Sequence, residues 1–356
     1  MTRSPARTVV RTVARPVARA LALAAALTAG ALAPPAAGQT FDAEARAAAV
    51  ERIGALLTEH YVFADKGAEC AARLEQALAD GELDLSSPDG FAAAVTERLQ
   101  AVTDDKHLRC TPSPGPAPGE EVAGPSDEER EAMRQRSWLR GREQNFGFEN
   151  VLRLPGNVGV LDLRSFQPVD MAGDTARAAM TYLANSDALI VDLRQNGGGD
   201  PEMVQLLCSY LFDEPTHLNS LYWRAGDETE EFWTLDQEAL PGPRLPDLPV
   251  FVLTSRYTFS GAEEYSYNLR TRERATLIGE TTGGGAHPGE EMRVSSQLGL
   301  FVPQGRAINP ITGTNWEGTG VEPHIQTSAK AAMGKAVELA TKAAQDHRDA
   351  REAAGS

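Results

Sequence analysis

Residues Val250 to Tyr265 read Val-Phe-Val-Leu-Thr-Ser-Arg-Tyr-Thr-Phe-Ser-Gly-Ala-Glu-Glu-Tyr, with the second serine at 260. Four apolar residues, a short polar turn and a helix-forming run follow one another. This is a buried strand that ends, turns and enters a helix. The texture recurs. Val158–Leu163, Ala188–Leu193 and Leu277-Ile278 are further short apolar runs. Helical patterns over Ala172–Ala184, Glu202–Leu211 and Ala262–Arg270 lie between the runs. Alternating strand and helix implies an α/β core around a largely buried sheet.

The 250–265 stretch also places a hydroxyl at the positive end of a helix, with Gly261 beside it. Two readings fit. Serine is a favoured helix N-cap. It is also a nucleophile when a base and free backbone N–H groups stand near it. Two glycine-rich loops share the ambiguity. Ile190-Val-Asp-Leu-Arg-Gln-Asn-Gly-Gly-Gly199-Asp-Pro leaves a strand through three glycines. That is either a tight turn or a nest of N–H groups suited to an anion. Leu277-Ile-Gly-Glu-Thr-Thr-Gly-Gly-Gly-Ala-His287-Pro repeats the device. His287 there is a base, a substrate contact or an exposed loop histidine.

Away from the core the chain changes character. Residues 1–38 carry five arginines, no acidic residue and an apolar alanine-rich run, then Pro34-Pro-Ala-Ala-Gly38. This reads as a cleaved secretory signal. The apolar run falls short of the ~20 residues of a membrane span, so no stable membrane anchor is expected. Residues 39–112 read as a small helical bundle. Val50, Ile53, Leu57 and Tyr61 recur at helical spacing, Gly81 is a stop and Ser87-Pro88 a start. Residues 113–145 are a proline-rich, acidic linker with a charged helix from Ser126 to Arg142. The core spans 146–328. An alanine-rich helix closes the chain over 329–356, with Met333, Val337 and Leu339 or Ala340 inward.

The chain has 34 basic and 50 acidic residues, a formal net charge of −16. Losing the leading arginines makes the balance more negative. Such a surface repels phosphates, so nucleic acid is not an expected partner. Export permits a disulfide. Cys70–Cys110 is the expected pair, with Cys208 a buried thiol. No Cys/His spacing resembles a zinc site and no glycine loop leads into a lysine, so neither metal nor cofactor is expected.

Taken together, Asp192-Leu-Arg-Gln-Asn-Gly-Gly-Gly, Thr258-Phe-Ser-Gly-Ala-Glu-Glu, Ile278-Gly-Glu-Thr-Thr-Gly-Gly-Gly and Gly318-Thr-Gly-Val-Glu-Pro resemble the C-terminal processing (tail-specific) serine peptidases. The resemblance covers roughly 147–327 and is to the tricorn and interphotoreceptor retinoid-binding-protein-like branch. It implies a ClpP/crotonase-like core behind the helical bundle and Ser260 as nucleophile. His107, in Asp104-Asp-Lys-His, falls at the position of the branch's general base. Glu317, in Asn315-Trp-Glu-Gly, falls at that of its carboxylate. The acyl oxyanion is expected between the N–H groups of Gly198 and Gly261. Two positions depart from relatives. Gly285 stands where another branch carries a lysine base, and Lys106 stands where tricorn has a serine. The linker is too short for a PDZ domain.

These residue types make chemical sense together. Histidine can take and return a proton near neutrality, and a carboxylate steadies the imidazolium. The expectation is an exported, periplasmic or extracellular peptidase acting on peptides or unfolded protein. The competing class is a non-catalytic binder of apolar ligands or peptides on the same fold. A third is an acyl-CoA enzyme of crotonase type, which the secretory signal opposes. Trp316 is expected to be a packing residue.

Overall fold

The computed structural model describes residues 41–115, 118 and 126–355. The expected signal segment 1–38 and part of the linker lie outside the described residues. Three helices open the described chain: α1 (Ala43–His60), α2 (Ala64–Ala79) and α3 (Pro88–Thr103). Their boundaries follow local chemistry. Asp42 caps α1 by accepting the Ala45 N–H at 3.0 Å, and Ser87 caps α3 through Gly90 at 3.1 Å. Strand β1 (Arg109–Pro112) and helix α4 (Asp127–Glu143) follow.

Then come β2 (Phe148–Leu154), β3 (Val158–Leu163), α5 (Val169–Leu183), β4 (Ala188–Asp192) and α6 (Pro201–Ser209). The hairpin β5 (His217–Trp223) and β6 (Glu228–Trp233) precedes β7 (Val250–Thr254), α7 (Gly261–Thr271) and β8 (Thr276–Gly279). The chain ends with β9 (Gly289–Arg293), β10 (Leu298–Pro303), β11 (Gly305–Ile308), β12 (Ile325–Gln326) and α8 (Ala329–Gly355).

The central sheet has the order β12-β8-β7-β4-β3-β2, parallel except for β2. Both faces are covered, which is why its strands read as unbroken apolar runs. Leu161, Leu163, Leu189, Val191 and Val252 face a core shared with α5, α6 and α7. Val160, Ile190, Phe251 and Leu253 face α8. The inward stripe of α8 is Ala332, Ala336, Ala340 and Ala344, all fully buried. Ala340 is the inward one of the expected Leu339-or-Ala340 pair, whereas Met333 and Val337, also expected inward, and Leu339 are only partly buried at its flanks. Small residues win the centre because they let the helix approach the sheet closely.

A second sheet has the order β1-β10-β9. It joins the amino-terminal region to the core, with Cys110 opposite Leu300. The bundle is therefore not self-contained. Its apolar core combines Ile53, Leu74, Phe91 and Leu99 with Leu298 and Leu300. The expected Cys70–Cys110 bridge is not formed. All three cysteines are free buried thiols, and the first two pack within this core. A third sheet, β11-β5-β6, lies against α6 and α7. No helix among the described residues is long and apolar enough to cross a membrane.

Candidate active site

Strands β4 and β7 are neighbours, so the loops leaving their carboxyl ends meet. The turn after β7 is pinned to the turn after β4. Thr258 Oγ1 donates to the Leu193 carbonyl at 2.8 Å, and Ser255 Oγ to that of Arg194 at 2.6 Å. Ser260 emerges at the N-cap of α7 with φ 53° and ψ −123°. An ordinary cap has extended backbone. A non-glycine residue in the left-handed region costs of order 1–3 kcal/mol and persists only where its surroundings hold it.

The main holder is Glu263. One carboxylate oxygen accepts the N–H groups of Ser260 and Gly285 at 2.9 and 2.8 Å. The other accepts Gly284 N–H at 2.7 Å and the Thr282 hydroxyl. Burial pushes its carboxyl up to about 7, and these four donors pull the other way. Glu263 thus ties the serine to the later glycine loop. The Ser-x-x-Glu spacing of a capping box was the signal for it in the sequence. Glu263→Gln turns an acceptor into a donor facing donors. It should cost about 2–3 kcal/mol, read as a lower urea midpoint. An unchanged midpoint would remove Glu263 from this role.

The first glycine loop lies directly on Ser260. A Cβ on Gly198 would stand 2.7 Å from the Ser260 Cβ and 2.8 Å from the Gly261 nitrogen. The expected oxyanion pair of Gly261 and Gly198 meets a competing bond, because Gly198 N–H already donates to Asn196 Oδ1 at 2.8 Å. Fully buried Asn196 also donates to the Leu163 carbonyl. The N–H groups of Gly199 and Gly261 donate to nothing among the described residues.

His107 lies two residues before β1 and is 7% exposed. Its ring packs 4.6 Å from that of Phe259, the residue preceding Ser260, and 5.7 Å from that of Phe301. Nδ1 is buried without a partner. Burial lowers the imidazole to about 4, with Asp105 opposing and the charges of Arg109 and His287 adding to the drop. Gly285 leaves the room it needs: a Cβ there would come within 2.7 Å of His107 Cε1 and 2.2 Å of Phe259 Cζ. A lysine at 285 and the histidine at 107 are sterically alternative.

Glu317 accepts the N–H groups of Lys106, at 3.1 Å, and of Ala286. It lies 3.5 Å from His287 Nδ1. Burial, then the Asp105 charge, pushes its carboxyl up to about 7. His287 is not an exposed loop residue. It is 5% exposed, and its Nδ1 pairs with Asp105 Oδ2 at 2.7 Å. Asp105 is fully buried and also accepts Tyr61 Oη–H and the His107 N–H. The ligand atoms of Asp105, His107 and Glu317 lie within 4.8 Å of one another, close enough for a metal ion. Their bonds to N–H and O–H donors account for both carboxylates without one. No hydrogen bond links His107 to Ser260 or Glu317 in this conformation.

A cavity of about 50 Å³ opens beside Ser260, walled by Gly261, Leu221, Ala307 and Trp316, with Glu264 also on its lining. Trp316 packs as expected, 2% exposed, and its indole N–H holds the Gly285 carbonyl at 2.8 Å. It also borders this space.

The sequence profile of Peptidase family S41 matches residues 157–327, and that of the N-terminal domain of Peptidase S41 in eukaryotic IRBP matches 43–137. Among solved structures, a lipoprotein from Streptococcus agalactiae is 18% identical, covering 87% of this chain and 98% of its own, at TM-score 0.51. Mature CPAF complexed with lactacystin is 14% identical, with 83% and 97% covered, at TM-score 0.54. Tricorn protease is 13% identical, covering 86% of this chain and 37% of its own, at TM-score 0.53. These likenesses are ones of fold.

Proposed function

From the premise that the chain belongs to peptidase family S41, we propose that it cleaves peptide bonds outside the cytoplasm through an acyl-enzyme on Ser260. The arginine-rich, apolar segment 1–38 supports the exported location. One observation carries the chemistry. Ser260 is held in a strained backbone at a helix N-terminus, beside two unclaimed N–H groups, and the neighbouring Phe259 ring packs on the buried imidazole of His107, whose Nδ1 has no partner.

In this reading Ser260 Oγ attacks the substrate carbonyl carbon, and its proton passes to His107. Gly261 and Gly199 N–H groups stabilise the oxyanion. The imidazolium returns the proton to the leaving amine. Water then repeats the sequence on the ester and frees Ser260. Burial serves the first step, because it keeps His107 unprotonated and able to accept. Glu317, at most 4.8 Å from the His107 ligand atom, is the carboxylate that steadies the imidazolium once the ring turns toward it.

His287, paired with Asp105, is the other imidazole in reach of this role. We assign it to positioning, because Asp105 connects it to the backbone of His107.

The test is fluorophosphonate labelling of Ser260, followed by mass spectrometry across pH. The labelling rate should fall as pH drops through about 7, where Glu317 takes up a proton. Glu317→Gln should lower the plateau and shift the acid limb toward the value of about 4 set by His107. The proposal fails if no adduct forms on Ser260. It also fails if Glu317→Gln leaves the profile unchanged.

A further inference from the structure

The cavity beside Ser260 has apolar walls and a polar end. Gly261, Glu264 and Asn268 lie on one stripe of α7, at helical spacings of three and four. Leu221 and Asn219 lie on one face of β5. Leu221 pairs with Ala307 of β11, and both wall the cavity. The two elements converge on the Glu264 carboxyl, which sits beside the amides of Asn219 and Asn268. All three residues are buried, at 6%, 0% and 0% exposure. The two asparagine amides contact the Glu264 carboxyl, and neither amide atom of Asn219 nor the Nδ2 of Asn268 has any other hydrogen-bond partner. Buried polar groups without partners are rare and costly. Here they flank Glu264, which lines a cavity that Ser260 also lines.

We propose that Glu264, Asn219 and Asn268 form the polar floor of the pocket for the residue whose carbonyl Ser260 attacks. The pocket thereby selects small side chains bearing a hydroxyl or carboxamide over aliphatic ones of equal size. The inference rests on the peptidase reading of Ser260.

Size sets the first limit. The cavity's 50 Å³ is a few water-sized volumes, enough for a side chain of about four heavy atoms. Aromatic residues, lysine and arginine exceed it, and leucine fills it without a polar atom to meet the floor. Polarity sets the second. Burial pushes the Glu264 carboxyl up to about 8, so at neutral pH it both donates and accepts. The asparagine amides add a donor and an acceptor. A hydroxyl or carboxamide can satisfy that floor, whereas a methyl leaves it unpaired. Sites built to hydrogen-bond a substrate group discriminate strongly against the analogue lacking it.

The test uses the full chain and quenched fluorogenic peptides that differ only at the residue before the scissile bond. Threonine is expected to exceed its isostere valine by about 100-fold in kcat/KM, and serine to exceed alanine similarly. Asparagine should be accepted, and leucine and lysine rejected. Glu264→Gln should keep the threonine preference, and Glu264→Met should collapse the threonine-to-valine ratio to about one. Valine cleaved as well as threonine by the unmodified enzyme would overturn the inference, whether or not the variants fold. So would a ratio unmoved in a folded Glu264→Met. In either case Ser260 labelling and cleavage of some peptide would leave the peptidase reading standing. Absence of both would remove that reading, and this inference with it.

Discussion

Ser260→Ala is expected to abolish peptide hydrolysis, by about 10⁴-fold or more in kcat, while leaving the protein folded. The hydroxyl is the attacking atom in the proposed cycle, and no other hydroxyl or thiol lines its cavity. Stability should stay within about 1 kcal/mol, because alanine keeps the Cβ and therefore the strain at φ 53°. Ser260→Gly separates the two effects. It should lose activity equally and gain about 1 kcal/mol, since glycine adopts this backbone freely. The pair of variants would show that the molecule tolerates strain to present a hydroxyl. Full hydrolysis by Ser260→Ala would end the nucleophile assignment. A folded protein that takes no label and instead gains stability from an apolar ligand would favour the binding class.

The second large effect separates the two buried imidazoles. His107→Ala should lower kcat by about 10³–10⁴-fold. It should also change the response of stability to pH. His107 falls from an ordinary value of 6.5 to about 4 on folding. Between those values the unfolded chain binds the proton and the folded one does not. Stability therefore declines as pH falls from 6.5 toward 4, by roughly 3 kcal/mol from this residue. His107→Ala removes that loss. His287→Ala should act differently. It strips Asp105 of its imidazole partner at 2.7 Å, leaving a fully buried carboxylate short of one donor. Breaking such a pair costs about 3–5 kcal/mol. Its effect on kcat at equal folded fraction should be smaller than that of His107→Ala. Urea unfolding and kcat measured on the same samples decide the matter. A larger kcat loss in His287→Ala would make His287 the base.

The candidate site combines residues of very different legibility. Ser260 stood out because strand, turn and helix are encoded within sixteen consecutive residues. Glu263 was equally local and belonged to a readable capping box. Asp105 sat in the same quoted motif as His107, yet nothing local marked it as a buried acceptor. Its partner is 182 residues away. The bond between Lys106 and Glu317 spans 211 residues. Gly198 illustrates the opposite case. Its motif was evident, but the orientation of its N–H depended on the Asn196 side chain two residues earlier.

Local patterns alone determined the parallel strands β3, β4, β7 and β8, the helices between them and the amino-terminal helices. Each is written in periodicity and end signals within its own segment. The antiparallel sheet β1-β10-β9 was not legible, because its short, partly exposed strands acquire their identity only from partners far along the chain. That sheet brings the loops of His107 and His287 to the carboxyl end of β7. The types of residue available for chemistry were therefore set by sequence. Which imidazole faces which carboxylate was decided by packing, since only the folded chain brings such distant groups within hydrogen-bond reach.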